Sequence, residues 1–211
     1  QWASWRRGVD FYDEGLLIWL EADATIRRLT AGQRSLDDFC KRFHGGASGM
    51  PRVSTYTFDD VVAGLTAIAP NDWRAFFETR LHGLSARAPL GGIEQSGWML
   101  GTQDSLPAMQ KSLEEENKDV DETSSIGIDV AKEDGRIADV LPGSPAAKAG
   151  VAPGMKLVAV NGRHWSKDVL RDGLRATAAS GAIELLVDSG EFYSAHRIET
   201  RGGERYPRLL R

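Results

Sequence analysis

The chain has 211 residues, with 41% apolar and 27% charged side chains and a formal net charge of −4. That composition belongs to a globular protein of one or two domains and argues against nucleic acid or an anionic membrane as partner, since no lysine/arginine run exceeds two residues. The longest apolar run, Leu16–Leu20, has five residues against the about 20 that a membrane span requires, and the single cysteine, Cys40, excludes an intrachain disulfide or a cysteine metal site.

Residues 1–83 read as helical. Gly15–Leu29 places Leu16, Leu17, Leu20, Ala24, Ile26 and Leu29 in helical rhythm, with Arg27 and Arg28 late and Gly32 beyond as stop signals. The polar cluster Tyr12-Asp13-Glu14 stands at its entrance. Ser35 caps a second helix through Phe39 and Phe43, with Asp37 and Asp38 in its first turn; Thr57 starts a third to about Ala67. Pro70-Asn71-Asp72 opens a fourth through Trp73, Phe76, Phe77 and Leu81, and Trp2, Trp5, Trp19 and Trp73 read as core. The glycine-rich 45–52 is a loop.

Residues 84–122 read as a connector, with a strand at 97–102 and a short helix then linker over 111–122. The run Glu114–Glu116 reads as a solvated face or linker rather than a metal site. From residue 123 strands and turns take over. Ser124–Val130 is strand-like, Asp134-Gly135 a hairpin signal, and 137–142 a second strand. Ser144 caps a short helix that Gly150 stops, and 155–162 is a strand ending in the Asn161-Gly162 turn. Residues 166–180 form an amphipathic helix with Leu170 and Leu174 on one face, and two strands pair across Asp188-Ser189-Gly190. The fold class expected is α+β in two parts, a helical bundle over 1–83 and a β-rich domain with two helices over 123–211.

The segment "GRIADVLPGSPAAKAGVAPGMKLVAVNG" (135–162) resembles a PDZ domain of the bacterial protease-associated kind. PDZ domains bind an extended peptide by adding it as a strand, commonly with its C-terminal carboxylate held by backbone N–H groups. The resemblance implies a carboxylate loop at Ser124, Ser125, Ile126 and Gly127, a receiving strand over 126–130 that includes Ile128, and an opposite wall on the helix of Leu170 and Leu174. Ile126, Ile128, Leu170 and Leu174 are equally compatible with a place in the core.

"DFYDEGLLIWLEADATIRRLTAGQRSLDDFCKRFHG", "YTFDDVVAGLTAIAPNDWRAFFETRLHG" and the terminal "RYPRLLR" resemble the glycyl aminopeptidase-like zinc peptidases, gluzincins whose thermolysin-like catalytic domain is followed by a PDZ domain. Those enzymes carry His-Glu-x-x-His and a further Glu as zinc ligands and base. His44, His82, His164 and His196 offer no such spacing, and the first residue is Gln1 rather than methionine. The resemblance therefore implies the C-terminal portion of a longer zinc peptidase, its ligands upstream of Gln1, inactive and without zinc by itself. Tyr12, in the setting Tyr-Asp-Glu-Gly-Leu, matches the tyrosine that donates a hydrogen bond to the oxyanion in that family, although the relatives have a basic residue at the place of Glu14. The implied partners are protein C-termini at the PDZ groove, the upstream part of the same protein, and a second copy of the chain covering the exposed part of Leu16–Leu20. A non-enzymatic PDZ adaptor is the alternative. Compartment stays open.

Overall fold

The computed structural model describes residues 10–46, 49–50, 53–85 and 88–211. Trp2 and Trp5 lie outside the described residues. The chain divides into two compact units, 1–99 with 210–211, and 100–209.

The described part of the first unit is helical: α1 (Asp10–Leu29), α2 (Leu36–Phe43), α3 (Phe58–Thr66), α4 (Trp73–His82) and the short α5 (Gly91–Gln95). Local chemistry sets the ends. Ser35 with Asp38, and Thr57 with Asp60, form reciprocal capping boxes, and Asp72 accepts from Ala75 N–H at the start of α4. Past the end of α1, Gly32 adopts φ +79° and its N–H bonds the Arg27 carbonyl at 2.7 Å, a left-handed stop that glycine takes without strain. Ile18, Ala22 and Ile26 of α1 pack with Phe39, Leu65, Trp73 and Phe77 as one core. Asp23 of α1 accepts from Leu36 N–H at 2.7 Å and so orients α2. Glu21, buried on the same helix, takes two hydrogen bonds from Arg80 of α4. Gly91 and Gly92 allow α5 to lie against α1: a Cβ on Gly92 would meet the Glu21 nitrogen at 2.6 Å.

Helix α1 differs from its expected form at the start. It runs from Asp10, the first described residue, so Tyr12, Asp13, Glu14 and Gly15 lie inside it. An interior glycine costs roughly 1 kcal/mol against alanine, an amount that packing along twenty residues overrides. The buried stripe is Ile18, Glu21, Ala22, Thr25 and Ile26, whereas Leu16 is 66% exposed and Leu20 36%.

The second unit holds β1 (Met99–Gln103), α6 (Ala108–Asn117), β2 (Asp119–Glu122), β3 (Ile128–Ala131), β4 (Ile137–Val140), α7 (Pro145–Lys148), β5 (Lys156–Val160), β6 (Arg163–His164), α8 (Lys167–Ser180), β7 (Ala182–Asp188), β8 (Tyr193–Glu199) and β9 (Tyr206–Leu210). Strands β2-β3-β4 form one antiparallel sheet, β6-β5-β7-β8 a second, and β1-β9 a two-stranded ribbon. The sheets meet where Ile137 N–H bonds the Met155 carbonyl and Leu157 N–H that of Gly135. Positive φ at Gly135 and Asn161-Gly162 turns the chain where the sequence signals turns. Helix α8, capped by Ser166, packs on β5 and β7. Fold class is α+β in two parts, as the residue patterns imply.

Candidate functional site

The residues of interest in the second unit gather on β3, the turn before it and α8. Strand β2 pairs with β3 in the register Asp119–Ala131, Val120–Val130, Asp121–Asp129 and Glu122–Ile128. Strand β4 takes the other edge of β3. Both edges of β3, the strand expected to receive a peptide, are therefore hydrogen-bonded within the chain, one of them to residues 119–122, which the sequence reads as linker. The short helix expected there runs over 108–117, and the linker reading is corrected, since 119–122 is a strand.

The turn joining β2 to β3 holds Ser124, Ser125, Ile126 and Gly127, the residues that the resemblance assigns to a carboxylate loop. The N–H groups of Ser125, Ile126 and Gly127 converge on one acceptor, the carbonyl oxygen of Glu122, at 3.1, 3.0 and 3.0 Å. Gly127 holds φ +87°, and a Cβ there would lie 2.1 Å from that of Ser144. Ser124 is exposed at the turn, while Ser125 is 8% exposed, its hydroxyl donating to Glu122 Oε2 at 2.6 Å and accepting from Arg205 N–H at 2.9 Å. Ile126, Ile128, Leu170 and Leu174 are all fully buried.

A buried ionic network surrounds this turn, and sequence reasoning missed it. The Arg171 guanidinium on α8 donates to Glu122 Oε1 at 3.0 Å and to Glu114 Oε1 at 2.5 Å. Tyr206 O–H lies between Glu122 and Glu204, and Arg175 donates to Glu204 at 2.5 Å. Glu114 also accepts from Asp121 N–H at 3.2 Å, so α6, β2, α8 and the approach to β9 are tied through one arginine. Glu114 is 3% exposed, which corrects its reading as part of a solvated face; its neighbour Glu115 is exposed and pairs with Lys132. Burial raises the Glu122 carboxyl against the opposing pull of Ser125 and Arg171, and raises the Tyr206 phenol with the help of the Glu204 hydrogen bond. Arg171 is raised as well: its desolvation is outweighed by Glu122 and Glu114.

Beside the network lies a row of like charge. Asp121 on β2 stands across from Asp129 on β3, which stands across from Asp139 on β4. Asp129 Oδ1 is buried without a hydrogen-bond partner, and desolvation together with Asp119 and Asp121 pushes its carboxyl up to about 7.

In the first unit, Tyr12 is 71% exposed and its ring lies 4.4 Å, centroid to centroid, from that of Phe11. A cleft nearby is lined by Glu14, Ile18 and Glu21 of α1 and by Arg80 and His82 of α4; Tyr12 is not part of its lining. Among the described residues, no group of histidine, cysteine, aspartate or glutamate is arranged to hold a metal ion, and no helix is long and apolar enough to cross a membrane.

The class that this architecture defines is a helical unit followed by a PDZ domain: a PDZ-domain family model matches residues 136–186. A crystal structure of an aminopeptidase N family protein from Idiomarina loihiensis is similar over 95% of this chain and 34% of its own, with a TM-score of 0.56 and 14% sequence identity. The two share a fold on that evidence, and the present chain spans about a third of that protein's length. The crystal structure of the HtrA3 PDZ domain bound to a phage-derived ligand, FGRWV, is similar over 54% of this chain and 92% of its own, with 20% identity and a TM-score of 0.26. No curated protein matches the sequence.

Proposed function

We propose that this chain is the C-terminal portion of a zinc-dependent peptidase of the aminopeptidase-like gluzincin type, carrying a PDZ domain that recognises peptide C-termini. One observation carries the reading: a single likeness to an aminopeptidase N family protein extends over 95% of the chain, through the helical unit and the PDZ domain alike. Zinc and the general base come from residues outside this sequence, and Tyr12 contributes the phenol that hydrogen-bonds the developing oxyanion. An exposed tyrosine on a helix whose Leu16 and Leu20 are also exposed suits a residue that faces a further part of a catalytic domain. The phenol serves because it donates without bringing a second positive charge to compete with the metal.

The test compares this chain with the longer gene product, both supplied with zinc and an aminoacyl substrate. Only the longer protein cleaves, and a chelator abolishes that activity. Tyr12→Phe in the longer protein lowers kcat about 100-fold with little change in KM, the signature of a contact made in the transition state. Hydrolysis by the 211-residue chain alone, or full activity of Tyr12→Phe, overturns the respective part.

A further inference from the structure

A PDZ ligand is an added strand whose terminal carboxylate sits among backbone N–H groups. Each part of that description has a counterpart inside this chain, with a backbone carbonyl standing where the carboxylate would be. Strand β2 runs antiparallel along β3 on the edge opposite β4. The Glu122 carbonyl accepts all three N–H bonds of the loop. The side chains of Val120 and Glu122 are fully buried, that of Glu122 held by Arg171 of α8. We propose that β2 is a built-in occupant of the peptide slot, so that residues 119–122 hold the place of a ligand strand and a peptide enters only by displacing them. This rests on the reading of the domain as a peptide binder.

The occupant dictates what could replace it. A matching peptide ends in a free carboxylate, taking over the three N–H groups from the Glu122 carbonyl. Its last residue is acidic, to meet Arg171, Ser125 and Tyr206, and the residue two before it is apolar, to take the buried place of Val120. Displacement is feasible because β2 is only four residues long and is opposed by like charge, with Asp121 across from Asp129 and no partner for Asp129 Oδ1. Attachment to the chain favours β2 all the same: an intramolecular strand competes at a high effective concentration, so a free peptide binds the parent protein weakly.

The experiment uses the whole chain and a fluorescent peptide ending in Val-Thr-Glu with a free carboxylate, which keeps both anchors without the charge facing Asp129, read by anisotropy, with hydrogen exchange reporting on the amides of 119–131. Val120→Asp removes the buried anchor of β2, and we expect it to bind the peptide at least about tenfold tighter than the parent while the C-terminal amide of the same peptide does not bind. A second arm does not depend on that variant folding. Asp121→Cys with Asp129→Cys, in a Cys40→Ser background, locks β2 on β3 when oxidised; the oxidised form binds nothing and reduction of the same variant restores binding. Peptide bound while 119–122 stays protected, or bound equally by oxidised and reduced forms, overturns the occupancy and leaves peptide recognition standing. Release of β2 with no member of a C-terminal peptide library bound overturns peptide recognition itself.

Discussion

Asp129 is the residue whose energetics depart furthest from what its type suggests. A strand aspartate ordinarily faces water, yet here one oxygen is buried and unpaired. The charges that face it are Asp119 and Asp121 from β2 and Asp139 from β4, with Glu114 of α6 lining the same cleft and Lys132 close enough to reach Asp119. Burial and like charge move its carboxyl from the usual 3.8 to about 7. Between those two values the folded chain keeps a proton that the unfolded chain has released. Stability therefore falls as pH rises through that window and levels off above it. Asp129→Asn removes the charge and with it this slope. Because the group is partly exposed, the gain above pH 7 is discounted to about 1–2 kcal/mol, against roughly a third of that at pH 5, which lies only part of the way into the window. Denaturant midpoints of parent and variant at pH 5 and pH 8 measure it, and an equal difference at both pH values would sink the assignment.

At the scale of elements, the sequence was readable wherever the signal is local. Ser35, Thr57, Asp72 and Ser144 each cap the helix they precede, and Gly135, Asn161 and Gly190 turn the chain where expected. What escaped depends on partners far along the chain. Residues 119–122 look like a charged linker because two of the four face a cleft of other carboxylates. Only the pairing with β3 and the reach of Arg171, 49 residues from Glu122 and 57 from Glu114, make them a strand. Ile126 and Leu174 likewise have no local feature that separates a groove wall from a core. Helix α1 was legible in its middle, but its start was not, since Gly15 imitates a helix boundary that packing overrides. The network sets its own prediction. Arg171→Met strips the only cation bonded to both Glu114 and Glu122 among the described residues, leaving buried carboxylates uncompensated, and costs about 3–5 kcal/mol at neutral pH. Without the arginine, which pulls it down, the Glu122 carboxyl that burial raises holds its proton more readily in the folded state, so the deficit shrinks as pH falls. Adding Glu114→Gln and Glu122→Gln recovers part of the loss. A change below about 1 kcal/mol in chemical denaturation would show that the network does not clamp α6 and β2 to α8.

At the scale of the molecule, each unit has a core of its own, and the boundary between them has a measurable consequence. Sequence pattern puts the start of the PDZ part at 123, where strands begin to dominate, but contacts divide the chain at 99/100. The difference is β1, α6 and β2. These elements supply Glu114 and Glu122 to Arg171, the fully buried Val120, and one strand of the ribbon that β9 completes. A chain of residues 123–211 would expose one edge of β3 and leave Arg171 buried without two of its carboxylates, and it would leave β9 unpaired. Buried unpaired charge and an open strand edge both favour unfolding and association. Residues 100–211 keep every one of those partners and should unfold in one cooperative step as a monomer. The shorter piece should melt at least 10 °C lower or aggregate, since loss of a buried ion pair alone is worth about 3–5 kcal/mol in a domain where about 1 kcal/mol shifts Tm by roughly 4–8 °C. Thermal unfolding and light scattering on the two pieces decide it. Equal stability would mean that β2 and α6 are appendages to the PDZ domain, and the case for β2 as its resident ligand strand would weaken with them.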